Sequence, residues 1–154
     1  SQIRQGLYGK NFRIFKLRTM KINSEINGPQ WSSENDKRIT KIGHILRKTR
    51  IDEIPQLLSV IKGEMSLIGP RPERPEIDNQ LQKKIVGYKS RYNILPGITG
   101  WAQVNYPYGS SIHDSYNKLS FDFYYLRNCS ILLDLIILFK TARVVLRYEN
   151  ASFY

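Results

Sequence analysis

The proline at position 55 constrains this chain more than any other residue. Ile54, Leu57, Leu58 and Ile61 recur at i, i+3, i+4 and i+7, the spacing of one apolar helix face, and Gly63 stands where a helix commonly ends. Proline lacks a backbone N–H and clashes with the preceding turn, so Pro55 is tolerated only in a first turn. The helix must then start near Asp52, which predicts Asp52 at the N-cap and Glu53 at N1. Two acids at a helix start have an ordinary reading, since Asp caps helices well and Glu suits the first turn. They also have a chemical one. Adjacent carboxylates point in different directions and suit glycosidic cleavage poorly, because a glycosidase holds its pair roughly 5–9 Å apart across the substrate. The positive end of a helix favours both ionised forms. One carboxylate could attack phosphorus while its neighbour holds a metal.

The surroundings favour phosphate chemistry. Arg47, Lys48 and Arg50 precede the pair, Arg71 is restrained between Pro70 and Pro72, and Lys16 and Arg18 share one face of a strand pattern. Guanidinium groups grip phosphate with two parallel hydrogen bonds, and a restrained one loses less entropy on binding. The formal net charge is +11, and residues 1–50 carry twelve Lys or Arg against three acids. Such a field attracts polyanions: nucleic acid, an anionic membrane surface or phosphorylated small molecules. A basic nucleic-acid-binding or membrane-surface module without catalysis is therefore the alternative reading. Carboxylates at the start of the second helix argue against the first of these, since they repel a phosphate backbone unless a cation bridges them, and no nucleic-acid partner is expected. His44 and His113 lack partners at zinc-ligand spacing, and no glycine-rich nucleotide loop stands in the sequence. A single cysteine, Cys129, excludes an internal disulfide.

The length fits one domain over residues 1–154. Alternation predicts a strand over residues 12–18, and Asp36 should cap a helix carrying Ile39, Ile42, Ile45 and Leu46. A short strand at 65–68 leads into the Gly69-Pro70-Arg71-Pro72 loop. Helices are expected near 76–86, 111–127 and 130–148, with a structured loop at 96–104. The expected fold class is α+β: mainly helices, with a small β-hairpin or sheet from residues near 12–18 and 65–68. No apolar run approaches the roughly 18 residues of a spanning helix. The most apolar one, residues 131–139, is interrupted by Asp134. It suits a core helix, or one lying in a membrane interface beside Lys140, Arg143 and Arg147.

Four blocks stand in an order that resembles a known family. They are Lys16-Leu17-Arg18-Thr19-Met20, Arg50-Ile51-Asp52-Glu53-Ile54-Pro55-Gln56-Leu57, the stretch from Gly63 to Pro72, and the stretch from Pro96 to Asn105. Residues 121–128 and Leu132-Leu133-Asp134-Leu135 add to the likeness. The chain resembles the bacterial sugar transferases, the monotopic polyprenol-phosphate phosphoglycosyl transferases of the exopolysaccharide-priming type. That resemblance implies a ping-pong transfer of a sugar-1-phosphate from a UDP-sugar to polyprenol (undecaprenyl) phosphate, with release of UMP. Asp52 would be the nucleophile and Glu53 the ligand of Mg²⁺. Lys16 and Arg71 would lie near the phosphates, and Arg18, Arg50 and Gln103 fall in substrate-binding motifs. It further implies a membrane-surface enzyme on the cytoplasmic face of the bacterial inner membrane, compatible with an oligomer. The family's hydrophobic membrane helix precedes the matching region, so the chain is expected to be the catalytic domain without it. Glu73-Arg74-Pro75-Glu76 and Tyr106-Pro107-Tyr108-Gly109 resemble the larger family members, which points to a hexose donor such as UDP-glucose or UDP-galactose.

Overall fold

A computed structural model describes residues 1–25, 28, 32, 36–107, 109 and 111–146. β1 (Gln2–Gln5) and β2 (Asn11–Ile14) form an antiparallel hairpin with Gln2 opposite Ile14. The expected strand over 12–18 stops at Ile14, the residue opposite Gln2. The chain then runs beside the carboxylate turn, where the Leu17 N–H donates to the Asp52 carbonyl at 3.0 Å.

α1 (Lys41–Lys48) is capped by Thr40, whose Oγ1 accepts from the Gly43 N–H at 2.9 Å. This corrects the expected Asp36 cap. The bridge between Met20 and Ile39 keeps the chain extended up to Thr40, and Asp36 instead binds the Arg38 guanidinium. The helix face is also inverted. Gly43 is buried against the Thr19 carbonyl, where a Cβ would come within 2.1 Å of the oxygen, while Ile42 and Ile45 face outward.

Arg50 takes a left-handed conformation (φ 59°) and turns the chain into a 3-10 segment, Ile51–Gln56, that runs directly into α2 (Leu57–Ile61). Asp52 is therefore the second residue of a tight turn and not an N-cap. Pro55 lies inside that turn, ahead of the first α-helical residue, as its missing N–H requires. Here too the polar face is the inner one. Asp52, Glu53, Gln56 and Ser59 are buried, whereas Ile54, Leu58 and Ile61 are exposed, Ile61 to 82%. Gly63 (φ 73°) closes α2 with its N–H on the Val60 carbonyl.

β3 (Ser66–Ile68) does not join the hairpin. It pairs in parallel with β4 (Gly97–Thr99), which lies inside the expected 96–104 loop and is followed by α4 (Trp101–Asn105). Three glycines allow this crossing. A Cβ on Gly97 would lie 2.1 Å from the Gly69 nitrogen, and one on Gly100 would lie 2.1 Å from the Gly69 oxygen.

α3 (Pro75–Lys84), α5 (Ile112–Asn128) and α6 (Ile131–Leu146) complete the fold. Ser111 and Asp114 form a reciprocal capping box at the start of α5. One core cluster joins Ile68, Tyr125, Leu133 and Ile137; a second joins Leu81, Ile85, Tyr88 and Leu119. α6 thus buries one stripe, while Ile131, Leu132 and Phe139 remain exposed. Among the described residues no helix is long and apolar enough to cross a membrane. Arg147 and the expected end of the last helix at 148 lie outside the described residues. The α+β class stands, with two separate two-stranded sheets in place of one.

Gly100→Ala should destabilise the domain by about 1–3 kcal/mol, the usual cost of overpacking a tight contact. Urea unfolding would measure it. A neutral result would mean that the two backbones need not approach so closely.

Candidate active site

The inward polar face of the 3-10 turn opens on a cleft of about 790 Å³. The chain leaving β2 brings Lys16 and Arg18 to its wall, the turn brings Asp52 and Glu53, the loop after β3 brings Arg71, and α4 brings Gln103. Six of the seven site residues expected from sequence therefore line one cleft. The seventh, Arg50, supports it from behind, with Nη1 3.6 Å from Glu53 Oε2.

Glu53 is the hub. Its Oε1 accepts from Lys16 Nζ at 2.6 Å and from Arg71 Nη2 in a second short bond. The side chain of Glu53 is only 8% exposed, against 24% for Lys16 and 27% for Arg71. Burial alone would raise the Glu53 carboxyl; Arg71, Lys16 and Arg50 outweigh it and hold the group well below the usual carboxylate range. Burial lowers Lys16 to about 8, against the pull of Glu53 and with help from Arg71 and Arg4. From its position alone Arg71 could equally be a turn arginine paired with Glu73 or Glu76. The structure assigns those acids elsewhere: Glu73 faces Arg4, and Glu76 faces Arg74.

Asp52 differs from its neighbour. Its carboxylate is buried and Oδ1 has no hydrogen-bond partner. Burial first, then the charge of Glu53, push its pKa up, against Lys16, Arg47 and Arg50. The expected lowering by a helix N-terminus does not dominate, because Asp52 sits in a short 3-10 turn within the protein wall. A carboxylate with little solvation and a free lone pair is a reactive nucleophile once ionised.

Further cations reach the cleft. Arg47 bonds Thr19 Oγ1 at 2.9 Å, Arg4 bonds Gln2, and Arg74 bonds Glu25 through two nitrogens. Arg4 and Arg74 escape sequence reasoning because nothing local marks them; only the packing of the hairpin against the loop after β3 brings them in, where the Gln5 N–H meets the Glu73 carbonyl. Gln103 is notable for what it lacks. Both its amide oxygen and its amide nitrogen are buried without a partner. Such orphaned groups cost about 1–3 kcal/mol each until something binds them.

The sequence profile of bacterial sugar transferases matches residues 1–148. The chain belongs to the bacterial sugar transferase family. Over 145 residues it is 46% identical to a UDP-N-acetylgalactosamine-undecaprenyl-phosphate N-acetylgalactosaminephosphotransferase of Aeromonas hydrophila, covering 94% of this chain and 34% of that protein. It is 38% identical over 142 residues to a UDP-glucose:undecaprenyl-phosphate glucose-1-phosphate transferase of Escherichia coli, covering 91% and 31%. It is 42% identical over 149 residues to the sugar transferase EpsL of Bacillus subtilis, covering 97% and 70%. The sugar transferase domain described here thus spans about a third of the length of the first two relatives. Its two clustered carboxylates are hard oxygen donors of the kind Mg²⁺ takes, though among the described residues no group of three or more potential metal ligands gathers.

Glu53→Gln should destabilise the domain by roughly 3 kcal/mol at pH 7, the low end for breaking a buried pair, since its cations keep some solvent. The folded carboxyl titrates below its ordinary value of 4.5. Its contribution is therefore fully present above that pH and is lost as pH falls through the folded value. Denaturant titrations should show the gap between parent and variant narrowing below pH 4.5. A gap independent of pH would contradict the charged cluster.

Proposed function

We propose that this domain transfers a sugar-1-phosphate from a UDP-sugar to polyprenol phosphate at a membrane surface, through a covalent intermediate on Asp52. One observation carries the reading: a buried carboxylate with an unpartnered oxygen stands beside a cation-gathering Glu53 in a cleft sized for a nucleotide sugar. The family supports the class of reaction, and the names of the relatives supply the donor and acceptor classes.

In the first step an Asp52 carboxylate oxygen attacks the donor's β-phosphorus. The new O–P bond forms as the bridging P–O bond breaks, and UMP leaves with that electron pair. In the second step a phosphate oxygen of the polyprenol attacks the same phosphorus. The acyl-phosphate bond breaks and Asp52 is regenerated. Lys16, Arg18 and Arg71 bind the diphosphate oxygens and neutralise charge that would repel the carboxylate. Mg²⁺, held by Glu53, would supply further neutralisation of phosphate charge. Arg50 keeps Glu53 in place from outside the cleft. Gln103, with one donor group and one acceptor unmet, binds a neutral part of the donor.

The acceptor's lipid nature gives the outward face of the same turn a use. Ile42, Ile45, Ile54, Leu58 and Ile61 are exposed on α1, the 3-10 turn and α2, with Lys41, Lys48 and Lys62 beside them in sequence. Apolar residues edged by lysines suit an anionic membrane surface. The turn that aims Asp52 inward thus aims Ile54 toward lipid. α6 adds Ile131, Leu132 and Phe139 with exposed Arg143, whereas Lys140 is engaged by Asn105 and lies over the Trp101 ring. The cytoplasmic face of the inner membrane fits a nucleotide-sugar donor.

Intact-mass analysis after incubation with UDP-hexose should show a hexose-phosphate adduct on the parent domain and none on Asp52→Asn. Turnover in that folded variant should fall by at least roughly a thousandfold. Normal turnover, or an adduct mapped to another residue, would overturn the mechanism. Separately, Ile54→Glu with Leu58→Glu should weaken co-sedimentation with anionic vesicles at low salt, and unchanged binding would remove this face from the membrane contact.

A further inference from the structure

A carboxylate has about four lone-pair sites to share. On Glu53 the two sites of Oε1 are taken by Lys16 and Arg71, and Oε2 has Arg50 at ion-pair distance, 3.6 Å away. Mg²⁺ asks for near-octahedral oxygen coordination and usually takes one or two carboxylates together with substrate phosphates. Asp52, the preceding residue in the chain, is a second carboxylate in the same cleft, and three cations already surround Glu53. A bare divalent ion approaching Glu53 therefore meets the like charge of three cations and a carboxylate with one oxygen already taken.

The three cations are not equivalent. Lys16 and Arg71 line the cleft, so each can turn toward a ligand there. Arg50 does not line it. The backbone of Arg71 is held in place, since its carbonyl accepts from Arg91 Nη2 at 2.7 Å and prolines flank it. Its guanidinium also donates from Nη1 to the Ile98 carbonyl at 3.3 Å, so a turn of Nη2 from Glu53 toward a ligand takes place about an anchored group.

We propose that Glu53 is a masked metal ligand. In the donor-free domain Lys16 and Arg71 occupy its carboxylate. The divalent ion enters only together with the donor's diphosphate, to whose oxygens those two cations transfer as the ion takes their place on Glu53. The exchange rests on the function proposed above. It conserves charge, because the diphosphate of a nucleotide sugar brings two negative charges and the ion two positive ones. Arg50 stays on Glu53 throughout.

The test is a Mn²⁺ titration followed by electron paramagnetic resonance, which separates bound ion from free. Without nucleotide the parent domain should bind Mn²⁺ weakly. With UDP added, a protein-bound signal should appear in the parent and be absent in Glu53→Gln. Removing one masking cation should produce a gain: nucleotide-free Lys16→Met should bind Mn²⁺ at least about tenfold more tightly than the parent, because a competing like charge is gone. Adding Glu53→Gln to that variant should abolish the gain. UDP affinity should fall in Lys16→Met, since the same lysine serves the phosphates. Arg71→Gln provides a second unmasked variant if Lys16→Met fails to fold. Tight nucleotide-free binding by the parent, or no gain in either folded variant, would overturn the proposal. Failure of the covalent mechanism would instead appear as a missing mass adduct and would leave the metal titrations unchanged.

Discussion

A carboxylate taken out of water must be met by positive charge, and Glu53 is met by three. The consequence for the chain is topological. Lys16 comes from the segment after β2, Arg50 from the junction between α1 and the 3-10 turn, and Arg71 from the loop after β3. No two of these lie in one element, so the ion cluster forms only when the hairpin, the first helix and the parallel strand pair have assembled around the 3-10 turn. An isolated Glu53 in that position would be strongly destabilising. The same residue thus ties the folding of the domain to the completeness of its cleft. Asp52 feels the charges of this cluster, yet its Oδ1 makes no hydrogen bond to it.

Much of the site was legible in the sequence, and physical reasons separate what was legible from what was not. Gly63 marked where the second helical segment ends and Pro55 kept its own position out of the α-helix, because each acts through its own backbone, whereas the cap expected at Asp52 falls at Arg50. Arg71 stood out for a similar reason, being held between two prolines. Periodicity was less reliable. It showed that Ile54, Leu58 and Ile61 share a face, but not which way the face points. In an ordinary globular domain it would point to the core. Here it points outward, and the polar stripe of Asp52, Glu53, Gln56 and Ser59 lies inside. The same inversion occurs in α1, with Gly43 inside and Ile42 outside.

Tertiary pairing decided the rest. β2 stops where its partner stops, Asp36 loses its capping role to the bridge between Met20 and Ile39, and β4 emerges from an expected loop because three glycines let it approach Gly69. None of these contacts is encoded in a local window. The family resemblance supplied what local reasoning could not, by linking blocks far apart in the chain; the fold then places those blocks around one cleft.

Arg50 adopts a left-handed backbone conformation. A non-glycine residue at φ 59° carries a backbone penalty, of order 1 kcal/mol or more, that glycine would avoid. Glycine, however, has no guanidinium to set against Glu53. At this position, backbone ease and side-chain chemistry are in direct competition, and the chain has settled it in favour of the side chain. Sequence optimisation that scores only thermal robustness would be drawn to replace Arg50 with glycine. It would relax the junction between helix and turn while removing a cation that holds Glu53 from outside the cleft. Robustness and competence need not rise together in this domain, and position 50 is where they would part.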